Sequence, residues 1–230
     1  MSFIANNGGY VSTLLARSGI ADHSFGTARR HPARPWLELK QVHSARVVLA
    51  REWQPGIEAD GLATDRPGER LAVKTADCVP LLLLDPVRRA AAAVHAGWRG
   101  AAQRIAMEAV RLLEQRYGSR PEDVLAALGP AIGGCCYEVG PEVAAQFREW
   151  LPERDDLDRR TRIDLRLALG RQLEAAGLRP SHIDIAEACT CCGGAEFHSW
   201  RREGPRAGRM VSVIAVRGEG PGIDGPGVGS

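Results

Sequence analysis

His43, Cys78 and His95 each border a short apolar run of strand character. Two imidazoles and one thiolate suit zinc, and three protein ligands leave a fourth position open, as a catalytic zinc requires. The spacing matches no compact zinc motif, so a buried free cysteine beside two structural histidines fits the same residues. A third chemistry uses only two of them. Cys78 could be a nucleophile with His95 as its base, attacking a carbonyl, which leaves His43 without a role. Asp77 could act as general acid or base or could orient a ligand. As a strand-edge aspartate it is expected to be exposed and solvated.

Placing these side chains together falls to residues 73–100. Two apolar runs, 79–84 and 90–94, are separated by Asp85-Pro86 and read as antiparallel strands joined by a tight turn. Such a hairpin brings Cys78 and His95 to one end of a sheet. Gly97 and Gly100 bracket Trp98-Arg99, where a backbone close to a ligand needs small residues. Upstream, residues 37–40 and 46–50 read as short strands flanking Gln41-Val42-His43, 59–64 as a loop entering a strand, and 71–75 as a strand. Downstream, Ile105, Ala109, Leu112 and Leu113 give helical spacing within 101–117, which Gly118 stops. Residues 124–128, 183–186 and 210–216 read as strands. Pro141 opens a helix carrying Val143, Phe147 and Trp150, and another helix spans 164–176 with Leu165, Leu169 and Leu173 on one face. Residues 1–34 should hold short strands and loops, 131–140 a glycine-rich loop, and 217–230 a Gly/Pro-rich disordered tail.

The other cysteines fall in two groups, Cys135-Cys136 and Cys189-Thr190-Cys191-Cys192. A zinc site built from both is conceivable. Yet only Cys189 and Cys192 have CxxC spacing, no second pair matches them, and adjacent cysteines do not easily share one ion. They are expected as buried or partly buried thiols near the site. A last group, Phe197 to Gly204 followed by Gly208-Arg209, joins the paired arginines Arg201 and Arg202 to an aromatic residue and glycines. It can hold phosphate or stack a planar ring, and equally can be a surface turn before the final strand.

At 230 residues and 44% apolar content the chain can build one domain with a sizeable core. A formal charge of +2 and no dense Lys/Arg block argue against nucleic acid; Arg159-Arg160-Thr161-Arg162 follows an acidic run and reads as solvated surface. No stretch approaches the ~20 apolar residues of a membrane span, and no basic-then-apolar leader is seen. A cytoplasmic location is therefore expected, with cysteines as thiols or ligands rather than disulfides. Walker A, Rossmann glycine and serine-elbow patterns are missing.

Six blocks then carry a resemblance: KQVH (40–43), ADGLATD (59–65), TADCVPLLLLDP (75–86), AVHAGWRG (93–100), LGPAIGGCCYEVGPEV (128–143), and HSWRREG with GRMVSVI (198–204, 208–214). In these, across most of residues 40–216, the chain resembles the bacterial YfiH/YlmD-like proteins. That family is described as laccase-like polyphenol oxidoreductases and regarded as zinc-dependent purine nucleoside phosphorylases. The resemblance implies an α/β fold, one domain over 1–216 with a central mixed β-sheet flanked by helices, related to cysteine-type deamidase toxins. It implies His43, Cys78 and His95 as ligands of Zn2+. It also implies phosphorolysis of adenosine, inosine, guanosine and methylthioadenosine to base and ribose 1-phosphate, with adenosine deaminase activity. The expected partners are a small nucleoside and phosphate, with no nucleic acid and no membrane.

On that reading Asp77, Cys78 and His95 are catalytic. A zinc that lowers the pKa of its water toward ~7 suits attack on the purine C6, and Asp77 would protonate the departing base in phosphorolysis. Arg99, Arg201 and Arg29 are the expected phosphate-binding residues. The N-terminal segment departs from the family pattern. HSFGTARR (23–30) stands where an HGFSTR-type sequence is usual, with Ala28 in the arginine's place and Arg29 one position later, and the stretch between Arg30 and Leu37 is shortened. QVHS has Ser44 for the usual glycine. Three other readings stay open: a copper-dependent phenol oxidase, for which six histidines are few; a metal-free hydrolase or deamidase using Cys78 and His95; and a zinc- or nucleoside-binding module without turnover. The sequence sets no oligomeric state.

Overall fold

The computed structural model describes residues 3–7 and 9–218, so the tail expected over 217–230 lies, from residue 219, outside the described residues. The chain opens with β1 (Phe3–Asn6), β2 (Gly9–Ser12), α1 (Thr13–Arg17) and β3 (Ala21–Phe25). Next come β4 (Val47–Leu49), β5 (Gly61–Thr64), β6 (Leu71–Thr75), β7 (Val79–Asp85), β8 (Ala90–Ala96), α2 (Trp98–Ala102) and α3 (Ile105–Tyr117). The second half holds β9 (Leu125–Leu128), β10 (Glu138–Val139), α4 (Pro141–Ala144) and β11 (Thr161–Arg162), then α5 (Leu165–Ala175), β12 (Ile183–Ile185), α6 (Trp200–Glu203) and β13 (Met210–Val216).

The expected hairpin is the centre of the molecule. β7 and β8 pair antiparallel from Val79↔Ala96 to Asp85↔Ala90, and the Asp85 carboxylate closes the turn on the Val87 and Arg88 amides. They sit inside a six-stranded sheet ordered β12-β9-β7-β8-β5-β4. It is mixed, as expected: β12 runs parallel to β9 and β4 to β5, the rest antiparallel. Every residue of β7 and β8 is buried, which is why both read as continuous apolar runs. Their side chains still alternate between two cores. Leu81, Leu83, Ala92 and Val94 pack with α3 and α5, whereas Leu82, Leu84, Ala91 and Ala93 face the other way. Each fully buried leucine contributes about 1.5–3 kcal/mol. A one-residue slip would turn all four to the wrong core, so packing fixes the register that sets Cys78 beside His95.

Helices flank one face of this sheet, and the other face carries a second, antiparallel sheet ordered β1-β2-β3-β13-β6. Its Phe25, Leu71, Val73 and Ile214 complete the core under Leu82 and Leu84. Three local expectations change. Residues 37–40 form no strand, only single bridges from Leu37 to Leu71 and Lys40 to Glu58. The helix expected over 101–117 is broken, because Arg104 takes a left-handed backbone at φ 63°. The break lets α2 seat Gly100 against the Ser44 carbonyl, 2.8 Å from where a Cβ would lie, while α3 packs on β8. The helix opened by Pro141 is one α-turn running into a 3-10 turn, Ala145–Phe147, though it buries Val143, Phe147 and Trp150 as its spacing required. Gly118, φ 69°, stops α3, and Asp164 caps α5 by accepting from the Arg166 amide. Among the described residues no helix is long and apolar enough to cross a membrane.

Candidate metal centre

Hairpin register places Pro80 opposite His95, so Cys78 and His95 meet at the open end of the six-stranded sheet. Strand alternation puts both on the Leu82–Ala93 face. On the other side of β8, Gly61 pairs with Val94, which brings Asp60 against His95. The His95 amide donates to the Asp60 carbonyl at 2.7 Å, and His95 Nδ1 lies 2.8 Å from Asp60 Oδ1. His43 comes from a loop fastened to the same carboxylate. The amides of Val42, His43 and Ser44 donate to it at 3.3, 3.0 and 2.6 Å, and Ser44 Oγ donates at 2.7 Å. Asp60 is fully buried. One carboxylate therefore ties the loop carrying one histidine to the strand carrying the other, and Ser44 at the usual glycine position adds a hydrogen bond to it.

The donor atoms of His43, Cys78 and His95 lie within 4.8 Å of one another, and the two rings meet edge-on at 73°. Zinc bonds of about 2.0–2.3 Å set tetrahedral donors roughly 3.3–3.8 Å apart, so small side-chain shifts close this cluster on an ion. Asp60 occupies His95 Nδ1 and leaves Nε2 for a metal, the carboxylate–histidine arrangement that orients such ligands. A Cβ at Gly97 would stand 2.8 Å from His43 Nδ1 and 3.1 Å from Cys78 Sγ, so the backbone there cradles the donors and only glycine leaves room. Burial by itself would push the Cys78 thiol up; hydrogen bonds with His43 and His95 outweigh it and bring the thiol down to about 7. Burial likewise disfavours the His95 imidazolium, yet Asp60 and Cys78 raise it to about 9. Burial disfavours the Asp60 carboxylate too, and bonds from His95 and Ser44 hold it below the ordinary carboxylate range. The residues fit zinc.

A cavity of about 590 Å³ opens on this cluster. Trp98, Tyr137 and Trp200 give it aromatic walls, and Lys74, Arg99, Arg201 and Arg209 make it cationic. Arg99 lies over Trp98 at 4.4 Å, Arg209 over Trp200 at 5.7 Å and Arg201 over Tyr137 at 5.5 Å. None of these three guanidiniums pairs with a carboxylate among the described residues, whereas Lys74 pairs with Glu38 at 2.9 Å. Arg99 and Arg201 thus reach the site as expected. Arg29 does not. A tight turn, with Thr27 Oγ1 accepting from the Arg29 and Arg30 amides, leaves Arg29 exposed at a separate hollow with Tyr10, Arg30 and Glu196.

Asp77 also corrects its expectation, being 8% exposed rather than solvated. It accepts from Thr190 Oγ1 at 2.6 Å, Ser199 Oγ at 3.1 Å and the Arg201 amide at 2.6 Å. The residue sequence reasoning missed is Asp60, whose signal was an aspartate-glycine pair opening a buried strand in ADGLATD. Lys74 and Tyr137 were not assigned to the site either; they reach it from β6 and from the loop before β10, and Arg209, read with the group from Phe197 onward, reaches it from the turn before β13.

The chain belongs to the family described as multi-copper polyphenol oxidoreductase laccase, whose profile matches residues 22–217. A protein of Deinococcus radiodurans named purine nucleoside phosphorylase is 44% identical over 187 residues, covering 79% of this chain and 70% of its own. The purine nucleoside phosphorylase YlmD of Geobacillus stearothermophilus is 38% identical over 204 residues, covering 82% and 74%. A protein of an unknown prokaryotic organism named adenosine deaminase RL5 is 34% identical over 191 residues, covering 76% and 72%. Among solved structures, the hypothetical protein YfiH of Bacillus licheniformis superposes with a TM-score of 0.83 at 27% identity, over 94% of this chain and 99% of that one.

Proposed function

We propose that the chain is a zinc-dependent purine nucleoside phosphorylase that also deaminates adenosine. One observation carries the reading: a His/Cys/His donor cluster faces three aromatic rings and three guanidiniums that have no carboxylate partner among the described residues, across one cavity. The names of the phosphorylase and deaminase relatives agree with it. Zinc held by His43, Cys78 and His95 would supply a Lewis acid with one open position.

The chain's own residues do the rest. Trp98, Tyr137 and Trp200 offer ring faces to a purine, and Arg99, Arg201 and Arg209 offer planar forks to phosphate oxygens. In phosphorolysis a phosphate oxygen bonds to the sugar C1′ as the bond to the base breaks, the base leaving with the proton that hydrogen phosphate gives up, and the guanidiniums hold the anion beside a carbon gaining cationic character. In deamination water adds at the purine C6 and ammonia leaves. With both oxygens engaged by Thr190, Ser199 and the Arg201 amide, Asp77 fixes the first turn of α6 and hence Arg201. Its role is positioning rather than the proton donation first expected. Copper would also accept two histidines and a cysteine, but among the described residues the cavity offers no methionine and no histidine beyond His43 and His95, and its Gln41 amide is taken up by the Lys74 backbone, so the axial ligand and the extra histidines of copper sites are missing.

The test is incubation of the zinc-loaded protein with adenosine, with and without phosphate. Adenine formed only with phosphate supports phosphorolysis, and inosine formed without it supports deamination; neither product from fully loaded protein ends the purine reading. His43→Ala should lose the metal of this centre and activity together, whereas hydrolysis by a Cys78–His95 pair would survive it.

A further inference from the structure

Four sulfurs outside the metal centre converge. Cys135 and Cys136, in the loop leading to β10, and Cys189 and Cys192, after β12, place their Sγ atoms within 4.8 Å of one another. The sequence argued against a joint site because Cys135 and Cys136 are adjacent. The backbone removes that objection: the Cys136 and Tyr137 amides both close on the Gly133 carbonyl, at 2.9 and 3.0 Å, and this coil turns both side chains toward the second loop. Gly133 makes the approach feasible, since a Cβ there would stand 2.8 Å from the Arg166 guanidinium, 3.3 Å from Cys135 Sγ and 3.4 Å from Cys189 Cβ.

Two features suit an ion better than free thiols. Cys135 Sγ and Cys192 Sγ are 3.7 Å apart, matching the edge of a tetrahedron with bonds of about 2.3 Å, roughly 3.8 Å. Cys189 Sγ accepts from the Gly133 amide at 3.2 Å, and the Cys191 and Cys192 amides also point at it, a cup of donors that favours thiolate. The loop that carries Cys189 and Cys192 is also braced by two guanidiniums, each of which keeps a carboxylate partner of its own, Glu203 and Asp164. Arg202 Nη1 donates to the Thr190 and Cys191 carbonyls at 2.9 and 2.7 Å, and Arg166 Nη1 to the Ala186 and Ala188 carbonyls at 2.6 and 3.2 Å.

We propose that Cys135, Cys136, Cys189 and Cys192 form a second, structural site for a thiophilic divalent ion of the zinc class. Four protein ligands leave no open position, so the ion clamps rather than reacts, and each coordinating thiol gives up its proton on binding. What it clamps is the far wall of the cavity. One loop carries Ile132 and Tyr137; the other carries Thr190, Ser199 and Arg201, all three of which hold Asp77 next to Cys78.

The test is metal content of the full chain, purified reduced and without a metal-binding tag. Two donor groups predict two zinc ions per chain in the wild type, one in His43→Ala/His95→Ala and one in Cys189→Ser/Cys192→Ser. Cobalt loaded into the His43→Ala/His95→Ala protein should show intense thiolate-to-metal charge-transfer absorption. Cys135→Ser, at an exposed position where the fold is least disturbed, is the second variant; it should weaken cobalt binding and lower that absorption in proportion to the thiolate lost, whereas an unchanged spectrum and affinity would count against the site. The proposal is overturned if His43→Ala/His95→Ala binds no zinc or cobalt while folded, or if Cys135 and Cys192 are found joined in a disulfide. Wild type with one zinc, lost only in the serine variants, would sustain this site and refute the histidine one.

Discussion

Replacing Asp60 by asparagine tests whether one buried carboxylate organises the metal centre. Oδ1 accepts from the His43 amide and faces His95 Nδ1, while Oδ2 accepts from the Ser44 amide, Ser44 Oγ and, more weakly, the Val42 amide. An asparagine side chain keeps one acceptor oxygen. Turned to serve His43 and His95, its NH2 faces the Ser44 and Val42 amides; the Ser44 hydroxyl can rotate to accept, but the two backbone donors cannot. At about 1–3 kcal/mol for each buried donor left unmet, and less for the long Val42 bond, Asp60→Asn should cost about 2–4 kcal/mol of stability. Loss of the carboxylate behind His95 should also weaken zinc binding about 10–100-fold. Urea unfolding of the metal-free protein reads the first quantity. Chelator competition in a Cys189→Ser/Cys192→Ser background reads the second. Unchanged stability together with unchanged zinc affinity would refute the organising role.

Gly97→Ala should expel the metal of this centre and spare the fold, because the added Cβ crowds His43 and Cys78 and the half-exposed His43 ring can swing away; circular dichroism with zinc analysis in a Cys189→Ser/Cys192→Ser background checks it, and a variant that keeps its zinc there would count against the cradle. Arg99→Ala should raise the phosphate KM about 10–100-fold, the worth of a charge-assisted hydrogen bond of about 1.5–3 kcal/mol. Deamination in the absence of phosphate should persist. His23 supplies the pH dependence. Burial lowers its pKa from 6.5 to about 4, and the hydrogen bond its ring accepts from the Ser12 amide at 3.0 Å is made by the neutral imidazole. Unfolded His23 takes up a proton below pH 6.5 while the folded ring stays neutral to about 4, so stability of about 3 kcal/mol, present above that window, is lost as pH falls through it. Urea unfolding across this range should show the slope, and His23→Gln, an uncharged acceptor, should flatten it.

Much of this architecture was legible because burial on both faces writes itself into β7 and β8 as unbroken apolar runs, and because Gly118 and Asp164 mark helix ends by local chemistry. The triad was legible as residue types beside those runs. What the sequence hid was long-range. Nothing in residues 71–75 or 210–216 says that β6 and β13 join a second sheet, since pairing between distant strands leaves no local trace. The break at Arg104 was hidden because the apolar spacing of α3 continues smoothly through it. Asp60 was hidden because an aspartate before a glycine usually marks a turn; only the fold shows five donors gathered on it. Cys135-Cys136 misled for the opposite reason, as a rule about adjacent residues yields to the coil that the Gly133 carbonyl imposes.

Strain distinguishes the site from its scaffold. Among the described residues four non-glycine positions hold a positive φ, and two of them are at the metal centre: His43 at 60° and Asp77 at 85°. Such conformations cost on the order of 1–3 kcal/mol each and persist only where the surroundings overdetermine them. Here the surroundings are visible. Asp60 collects the amides on both sides of His43 as well as its own, and Asp77 is pinned by Thr190, Ser199 and the Arg201 amide. Relaxing either segment would swing His43 off the cluster or carry Cys78 out of register with His95. The hairpin alone therefore supplies a cysteine and a histidine at one sheet end, a pair suited as well to thiol chemistry. The two strained segments, each held by its own buried carboxylate, are what convert that pair into a three-ligand centre facing a cationic cavity.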